Sequence, residues 1–286
     1  MTGAVVERDC PICNDVNVGF PWRTVRAKSL AKCTDCGFAW FPRGQYDAAA
    51  VRQQYLADET SPTEYYDRAE QHDDATFQVR VRRMARLLGA SKGRVVDVGC
   101  NVGTFLRTAK REGFTPIGVE PNPHAAARVR DHGLEVHSGF FDQAAVERIG
   151  RADAVHMGDV IEHVFDPVEL LRLAASVLRS GGVLMVVTPD LESLMGRLLQ
   201  IKPDEHLVYF TRRSLELAAR SAGFEDVGVQ RWGRRRSMVA MPASTTFSGV
   251  GKSLVRVLGI PGVRTAAELT LFHLFKDELL LTARRP

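Results

Sequence analysis

Val95-Val96-Asp97-Val98-Gly99-Cys100-Asn101-Val102-Gly103 is the stretch that decides the fold. A β-branched apolar run ends in an acid, passes through a glycine-bounded turn, and opens an amphipathic segment at Thr104. Such a run favours a buried strand. Glycines in the turn let a ligand approach the backbone, and the helix start behind them favours negative or polar groups. Glu120 closes the next apolar run, seventeen residues after Gly103, where an acid can accept both hydroxyls of a ribose. The loop is one glycine short of G-x-G-x-x-G, and one ligand-binding half is visible. A dehydrogenase-type Rossmann domain is therefore the competing reading at this point.

Outward from this stretch, short apolar runs alternate with amphipathic ones. Strands are expected at 94–98, 115–119, 134–137, 152–156 and 183–188, and helices at 104–111, 124–132, 143–149 and 166–178. A helix at 211–222 and strands at 225–232 and 278–283 follow. This alternation implies a parallel sheet with right-handed crossovers. Residues 44–90 read as helical, with Tyr55, Tyr65 and Tyr66 followed by Phe77, Val81, Met84, Leu87 and Leu88 at spacings of one, three and four, ending at Gly89. Residues 233–276 are expected to hold two helices behind Arg234, Arg235 and Arg236.

Four of the five cysteines stand as Cys10-Pro-Ile-Cys13 and Cys33-Thr-Asp-Cys36. This C-x2-C…C-x2-C spacing is that of a zinc ribbon. Two residues between cysteines let a turn aim both sulfurs at one point, and two such turns build a thiolate tetrahedron about 2.3 Å from the ion. Such a closed site is structural, and in a module this small the metal replaces a missing core. Two disulfides are the competing reading, disfavoured in a reducing compartment. Cys100 is left over and reads as a small residue in a tight loop. The expected division is a ribbon at 1–43, a helical linker or lid at 44–90 and a main domain at 91–286, with 190–276 contributing the acceptor side.

The chain has 286 residues, 45% of them hydrophobic and 25% charged, with a net charge of +4. That excludes a collagen-like or wholly disordered chain, and the mild charge is no argument for nucleic acid. No stretch reaches the roughly 18 apolar residues of a membrane span. Glu7, Arg8 and Asp9 occupy the place of a signal peptide's apolar core. A soluble, cytoplasmic protein is expected.

The glycine stretch resembles motif I of the class I S-adenosylmethionine-dependent methyltransferases, roughly (V/L)-D-(V/I)-G-C-G-x-G. Asn101 replaces a glycine, a tolerable change because Asn also visits left-handed conformations. Gly118-Val119-Glu120-Pro121-Asn122 is similar to the family's ribose-binding motif, and Gly139-Phe140-Phe141-Asp142 to its adenine-edge segment. The run from Asp153 to Val164 resembles motif IV, and Leu178-Arg179-Ser180-Gly181-Gly182 the L-(K/R)-x-G-G turn. The resemblance implies an α/β, Rossmann-like sheet of seven strands in the order 3-2-1-4-5-7-6, the seventh antiparallel. It also implies that Asp97, Gly99, Asn101 and Gly103 hold the methionine end of the donor and that Glu120 and Pro121 flank the ribose. Phe140, Phe141 and Asp142 would then lie near the adenine, with Gly158 and Asp159 at the strand mouth.

Transfer to a hydroxyl needs a base, and His163 and His206 are the candidates. Asp159-Val160-Ile161-Glu162-His163 also resembles the E-x-x-E-H of ubiquinone-biosynthesis O-methyltransferases, which implies a divalent cation at Asp159, Glu162 and His163. The layout resembles bacterial enzymes of natural-product, sugar or polysaccharide pathways. The expected reaction is O- or C-methylation of a small molecule, with zinc as a structural metal. The alternative is an RNA base methyltransferase with a zinc module. Against it, the chain lacks an aromatic–basic stripe, and its one basic cluster is Arg231 with Arg234–Arg236. Tyr65 or Tyr66 is expected either to cover the cofactor as a lid or to pack its helix on the sheet by its ring. Oligomeric state is not legible.

Overall fold

The computed structural model describes residues 9–57, 63–90, 92–199, 201–233 and 276–286. The helices expected within 233–276, and Arg234, Arg235 and Arg236, lie outside the described residues.

The chain opens with a small antiparallel sheet of β1 (Val18–Val25), β2 (Lys28–Cys33) and β3 (Ala39–Trp40). Two helices follow, α1 (Ala48–Ala57) and α2 (Thr63–Leu88). The alternating part then runs β4 (Arg94–Val98), α3 (Thr104–Arg111), β5 (Thr115–Glu120), α4 (Pro123–Asp131), β6 (Glu135–Ser138) and α5 (Gln143–Ile149). It continues through β7 (Ala152–Gly158), α6 (Pro167–Val177) and β8 (Leu178–Pro189). After α7 (Leu194–Leu199), β9 (Val208–Tyr209) and α8 (Arg212–Ser221) come β10 (Glu225–Trp232) and β11 (Glu278–Arg284).

The large sheet has seven strands in the order β6-β5-β4-β7-β8-β11-β10. That is the expected 3-2-1-4-5-7-6, and β11 runs antiparallel to both its neighbours. Alternate residues feed opposite layers, as the two-residue strand period requires. Val95, Ala154, Met185 and Leu280 face the layer of Val81, Met84, Phe105 and Leu106 on α2 and α3. Val96, Val155, Val186 and Leu281 face the layer of Leu171 and Leu215 on α6 and α8.

Local signals set the helix ends. Asn122, Asp142, Asp166 and Thr211 each accept backbone N–H groups as N-caps of α4, α5, α6 and α8. The helix expected at 166–178 stops one residue early because Leu178 is already extended and pairs with Ala152. β8 therefore begins five residues before the expected start.

The small sheet is not self-contained. β3 pairs with β9, with Ala39 opposite Tyr209 and Trp40 opposite Val208. Thr211 Oγ1, at the cap of α8, donates to the Cys36 carbonyl at 2.7 Å. Phe38 lies 5.2 Å, centroid to centroid, from Phe210. Gly37 has φ +76°, and a Cβ there would come within 2.8 Å of Thr211 Cγ2, so this turn needs glycine. No helix among the described residues is long and apolar enough to cross a membrane.

Candidate functional site

Two centres stand out among the described residues: a crevice at the carboxyl ends of β4, β5 and β7, and a cluster of four cysteines.

The glycine loop folds over the end of β4. Gly99 and Cys100 both donate backbone N–H groups to the Val119 carbonyl, at 2.8 and 3.1 Å. Gly99 has φ +70°, and a Cβ there would fall 2.6 Å from Val160 Cγ2. The loop therefore packs directly on the segment that follows β7. Asn101 takes the left-handed conformation with φ 48°, as its substitution for glycine requires. Its N–H donates to Glu120 Oε2 at 2.8 Å, and the Asn122 N–H donates to Glu120 Oε1 at 2.8 Å. Glu120 thus knits the loop to the end of β5. Burial pushes its carboxyl above the usual range, and the two backbone donors pull it back.

An ionised carboxylate offers about four lone-pair positions. Two are used here, so Glu120 can still accept two hydroxyl donors. Asn101 Oδ1 is buried without a partner among the described residues, a second unfilled acceptor in the same loop. These acceptors suit the polar rim of a nucleoside. S-adenosylmethionine fits this donor and acceptor set.

Asp97 is buried, and its Oδ1 lies 2.7 Å from Nδ1 of His156 on β7. Burial raises the Asp97 carboxyl, while the His156 charge and hydrogen bond lower it. His156 is a residue for which the sequence reading assigns no role. The adenine-edge segment is divided. Phe141 is buried in the core and Asp142 Oδ1 caps α5 at Ala145, which leaves Phe140 as the half-buried ring of the segment. Pro121 follows Glu120, and Asn122 rather than Pro121 returns a hydrogen bond to it.

At the mouth of β7, Gly158 is followed by Asp159 in the left-handed conformation, φ 56°. The Asp159 N–H donates to the Val187 carbonyl at 3.0 Å. One turn of 3-10 helix, Ile161–His163, then presents two of the expected side chains. Glu162 is buried. Thr188 Oγ1 donates to its Oε2 at 2.9 Å, and its Oε1 has no partner among the described residues. Burial, reinforced by the Asp159 charge, pushes this carboxyl well above the ordinary range. Glu162, His163 and His206 bring their ligand-competent atoms within 4.8 Å of one another. Asp159, expected in that trio, is not part of it, and His206 takes its place.

His163 Nδ1 lies 2.7 Å from the Glu205 carbonyl oxygen and 3.0 Å from the Tyr55 hydroxyl. A carbonyl only accepts, so Nδ1 carries the hydrogen and Nε2 keeps its lone pair. Burial lowers the His163 pKa, which favours this neutral ring. The His206 ring stands edge-on at 4.9 Å.

Two residues of α1 that the sequence does not mark lie against this site. Tyr55 on α1 lies between Phe140, at 6.5 Å, and His163, at 6.1 Å. One turn earlier, the Arg52 guanidinium sits over the Phe140 ring at 3.9 Å. The side chains of Tyr65 and Tyr66 fall outside the described residues. Tyr55 and Arg52 carry no local motif; only the fold brings them to the crevice.

The sulfur cluster is regular. Cys10 Sγ lies 3.6 Å from Cys36 Sγ, and Cys13 Sγ 3.6 Å from Cys33 Sγ. All four sulfurs lie within 4.8 Å of one another. Disulfide sulfurs sit about 2.05 Å apart, so neither pair is bonded. A thiolate tetrahedron with zinc–sulfur bonds of about 2.3 Å has edges near 3.8 Å. The cluster fits zinc with all four positions filled by protein. In the basic cluster, Arg231 is engaged by the buried carboxylate of Asp190 at 2.8 Å.

Comparison with known proteins agrees with this geometry. A family described as a methyltransferase domain matches residues 70–229. The ubiquinone biosynthesis O-methyltransferase of Caulobacter sp. (strain K31) is 35% identical over 101 residues, 33% of this chain and 40% of that protein. The protein of the same name from Xanthomonas axonopodis pv. citri (strain 306) is 32% identical over 118 residues, 38% of this chain and 48% of that one. The chain thus spans less than half the length of these curated relatives. Among solved structures, a SAM-dependent methyltransferase from Archaeoglobus fulgidus superposes with a TM-score of 0.53 at 21% identity, covering 77% of this chain and 99% of that one. A possible histamine N-methyltransferase from Thermotoga maritima gives 0.52 at 21% identity, covering 78% and 94%. Both show the fold alone. With the glycine loop and its acids assembled at the strand ends, and more than half of its length matched, the chain belongs to the methyltransferase-domain family and carries a four-cysteine module ahead of that domain.

Proposed function

We propose that the chain methylates a small-molecule acceptor at oxygen or carbon, with His163 as the base. The acceptor class is a natural-product, sugar or polysaccharide precursor. The observation that carries the proposal is the 2.7 Å contact between His163 Nδ1 and the Glu205 carbonyl oxygen. That Nδ1–H is held by the Glu205 carbonyl, so Nε2 is the basic nitrogen and the ring cannot turn without losing that bond. Likeness to O-methyltransferases of ubiquinone biosynthesis supports a hydroxyl acceptor.

When bound, S-adenosylmethionine supplies a methyl group activated on a sulfonium sulfur. Glu120 accepts the ribose hydroxyls with its remaining lone pairs. Asp97 and the backbone of Gly99, Asn101 and Gly103 hold the amino-acid end, and Gly158 and Asp159 bound the mouth of the crevice. Phe140, backed by Arg52, flanks the base with Pro121, Phe141 and Asp142 behind it. His163 Nε2 takes the acceptor's proton, and the edge-on His206 ring fixes the plane of His163. Positioning does most of the work in such a displacement. The helical segment of 44–90 and the described part of 190–276 within the 91–286 domain supply the walls on the acceptor side, beside the ribbon of 1–43.

A second reading has one observation in its favour. The Glu162, His163 and His206 trio, with Oε1 of Glu162 unfilled, suits a divalent cation that would bind and acidify a diol. RNA as acceptor is disfavoured, because Arg231 is already neutralised and the net charge is only +4.

The test is calorimetric titration with S-adenosylhomocysteine, followed by turnover on a panel of catechols, sugars and short RNAs. His163→Ala is expected to lower turnover on the accepted substrate by about 10²–10⁴-fold with donor binding intact. Methylation unaffected by His163→Ala would remove the base. Turnover lost to chelation and restored by magnesium or zinc would favour the cation. Binding of a nicotinamide dinucleotide in place of S-adenosylhomocysteine would overturn the assignment.

A further inference from the structure

We infer that His156 is a positioning residue for Asp97, holding the carboxylate at the end of β4 in the orientation that the donor's amino-acid end requires. The inference rests on the donor reading above.

The two residues face each other across the parallel pairing of β4 and β7. Both are almost fully buried, at 3% and 2% exposure, and Nδ1 to Oδ1 is 2.7 Å. An isolated buried carboxylate is unfavourable without a donor. Arg80 on α2 is nearby, but its guanidinium already pairs with Glu278 of β11 at 3.5 Å, both groups 1% exposed. His156 is therefore the group that satisfies Asp97 directly.

The ring is fixed on two sides. Phe105 of α3 stacks on it at 3.9 Å with 4° between the planes. Phe77 of α2 meets it edge-on at 6.3 Å. This clamp sets the direction of Nδ1 and, through it, of the Asp97 carboxylate. The tautomer follows from what surrounds the other nitrogen. Nε2 is buried and has no partner among the described residues. A hydrogen on Nε2 would be an orphaned donor, and Asp97 would then face a lone pair. A hydrogen on Nδ1 removes both problems. Burial opposes charge on His156, which favours the neutral ring. The role differs from that of His163, whose base is Nε2 and whose environment is the crevice mouth.

Two substitutions separate the idea from a role in packing. In His156→Asn the side-chain amide keeps a donor near the place of Nδ1. In His156→Leu the bulk remains and the donor goes. S-adenosylhomocysteine binding is expected to stay within about threefold of wild type in the Asn variant and to weaken about tenfold or more in the Leu variant. KM for the donor should rise in the Leu variant while kcat at saturating donor is unchanged. Equal losses in both variants, or wild-type affinity in His156→Leu, would overturn the role. Nitrogen-resolved NMR of the intact wild-type protein is independent of how the variants fold. It should show a buried histidine with its hydrogen on Nδ1, and a hydrogen on Nε2 would overturn the inference. If the wild-type chain binds no S-adenosylhomocysteine, the donor reading itself falls and this inference with it. Wild-type binding with an unaffected Leu variant removes only the positioning role.

Discussion

Glu120 combines two tasks that a single substitution separates. Its oxygens each take one backbone N–H, from Asn101 and Asn122, and so fix the loop before any ligand arrives. The remaining lone pairs serve the ribose in the proposed complex. Glu120→Gln turns an –NH2 toward one of those backbone donors. S-adenosylhomocysteine affinity should fall by about 10–100-fold, the loss of one hydrogen bond to a charged acceptor at about 1.5–3 kcal/mol. The pH dependence has a definite sign. Burial holds the Glu120 pKa above its ordinary 4.5, so on acidification the acceptor is protonated sooner than a surface glutamate would be. Wild-type affinity should therefore decline on the acid side with a midpoint above 4.5, and the Gln variant should lack that decline. Calorimetry across pH measures both. Glu120 is legible in the sequence because motif I and the next acid keep a fixed local spacing. His156 and Tyr55 are not: their partners lie 59 and 108 positions away, and no periodicity encodes a pairing across two strands or a helix laid over a sheet edge.

At the scale of elements, the alternating part was readable because each strand and helix carries its own period. The segments at 94–98, 104–111, 143–149 and 225–232 take the expected bounds. Two short elements carry most of what was missed. β9 has only two residues, too few for any pattern, and it acquires its identity by pairing with β3. α1 becomes a cover through two side chains on one face. Tyr55→Phe removes the hydroxyl beside His163 and leaves the ring against Phe140. It should reduce kcat several-fold with little change in donor affinity, because Glu205 still holds Nδ1. Arg52→Ala should do the reverse, weakening donor binding about two- to fivefold for a cation–π contact of about 0.5–1 kcal/mol. Steady-state kinetics on the two variants tests the division, and identical effects from both would refute it. Thr211→Ala acts at another junction of elements. It removes the cap of α8 and the hydrogen bond to the Cys36 carbonyl. A loss of about 1–2 kcal/mol from the cap alone is expected in chemical denaturation.

For the molecule as a whole, the cysteine spacing announces a separate module, but the contacts make it continuous with the methyltransferase domain. The sheet of β1, β2 and β3 ends on β9, and Phe38 packs on Phe210 in the same core that covers the large sheet. Lys28 and Arg26 of the hairpin pair with Asp204, one residue before the Glu205 whose carbonyl fixes His163. A change at the sulfur cluster therefore has a short route to the proposed base: Cys36 to Thr211, β3 to β9, and β9 back through Glu205. These exposed ion pairs are each weak, so the route depends mainly on the strand pairing and the buried ring contacts. If zinc fills the cluster, metal-free protein loses the constraint that a core this small cannot replace. Calorimetry should then show one lowered, cooperative transition for the whole chain rather than an unchanged domain beside a melted ribbon. Cys10→Ser should release one zinc per chain, counted by elemental analysis, and lower kcat more than donor affinity, because the β9 route ends at His163 while Glu120 and Asp97 sit on strands it does not touch. An undisturbed main transition with full turnover after zinc removal would mean that the two parts are energetically independent despite their shared sheet.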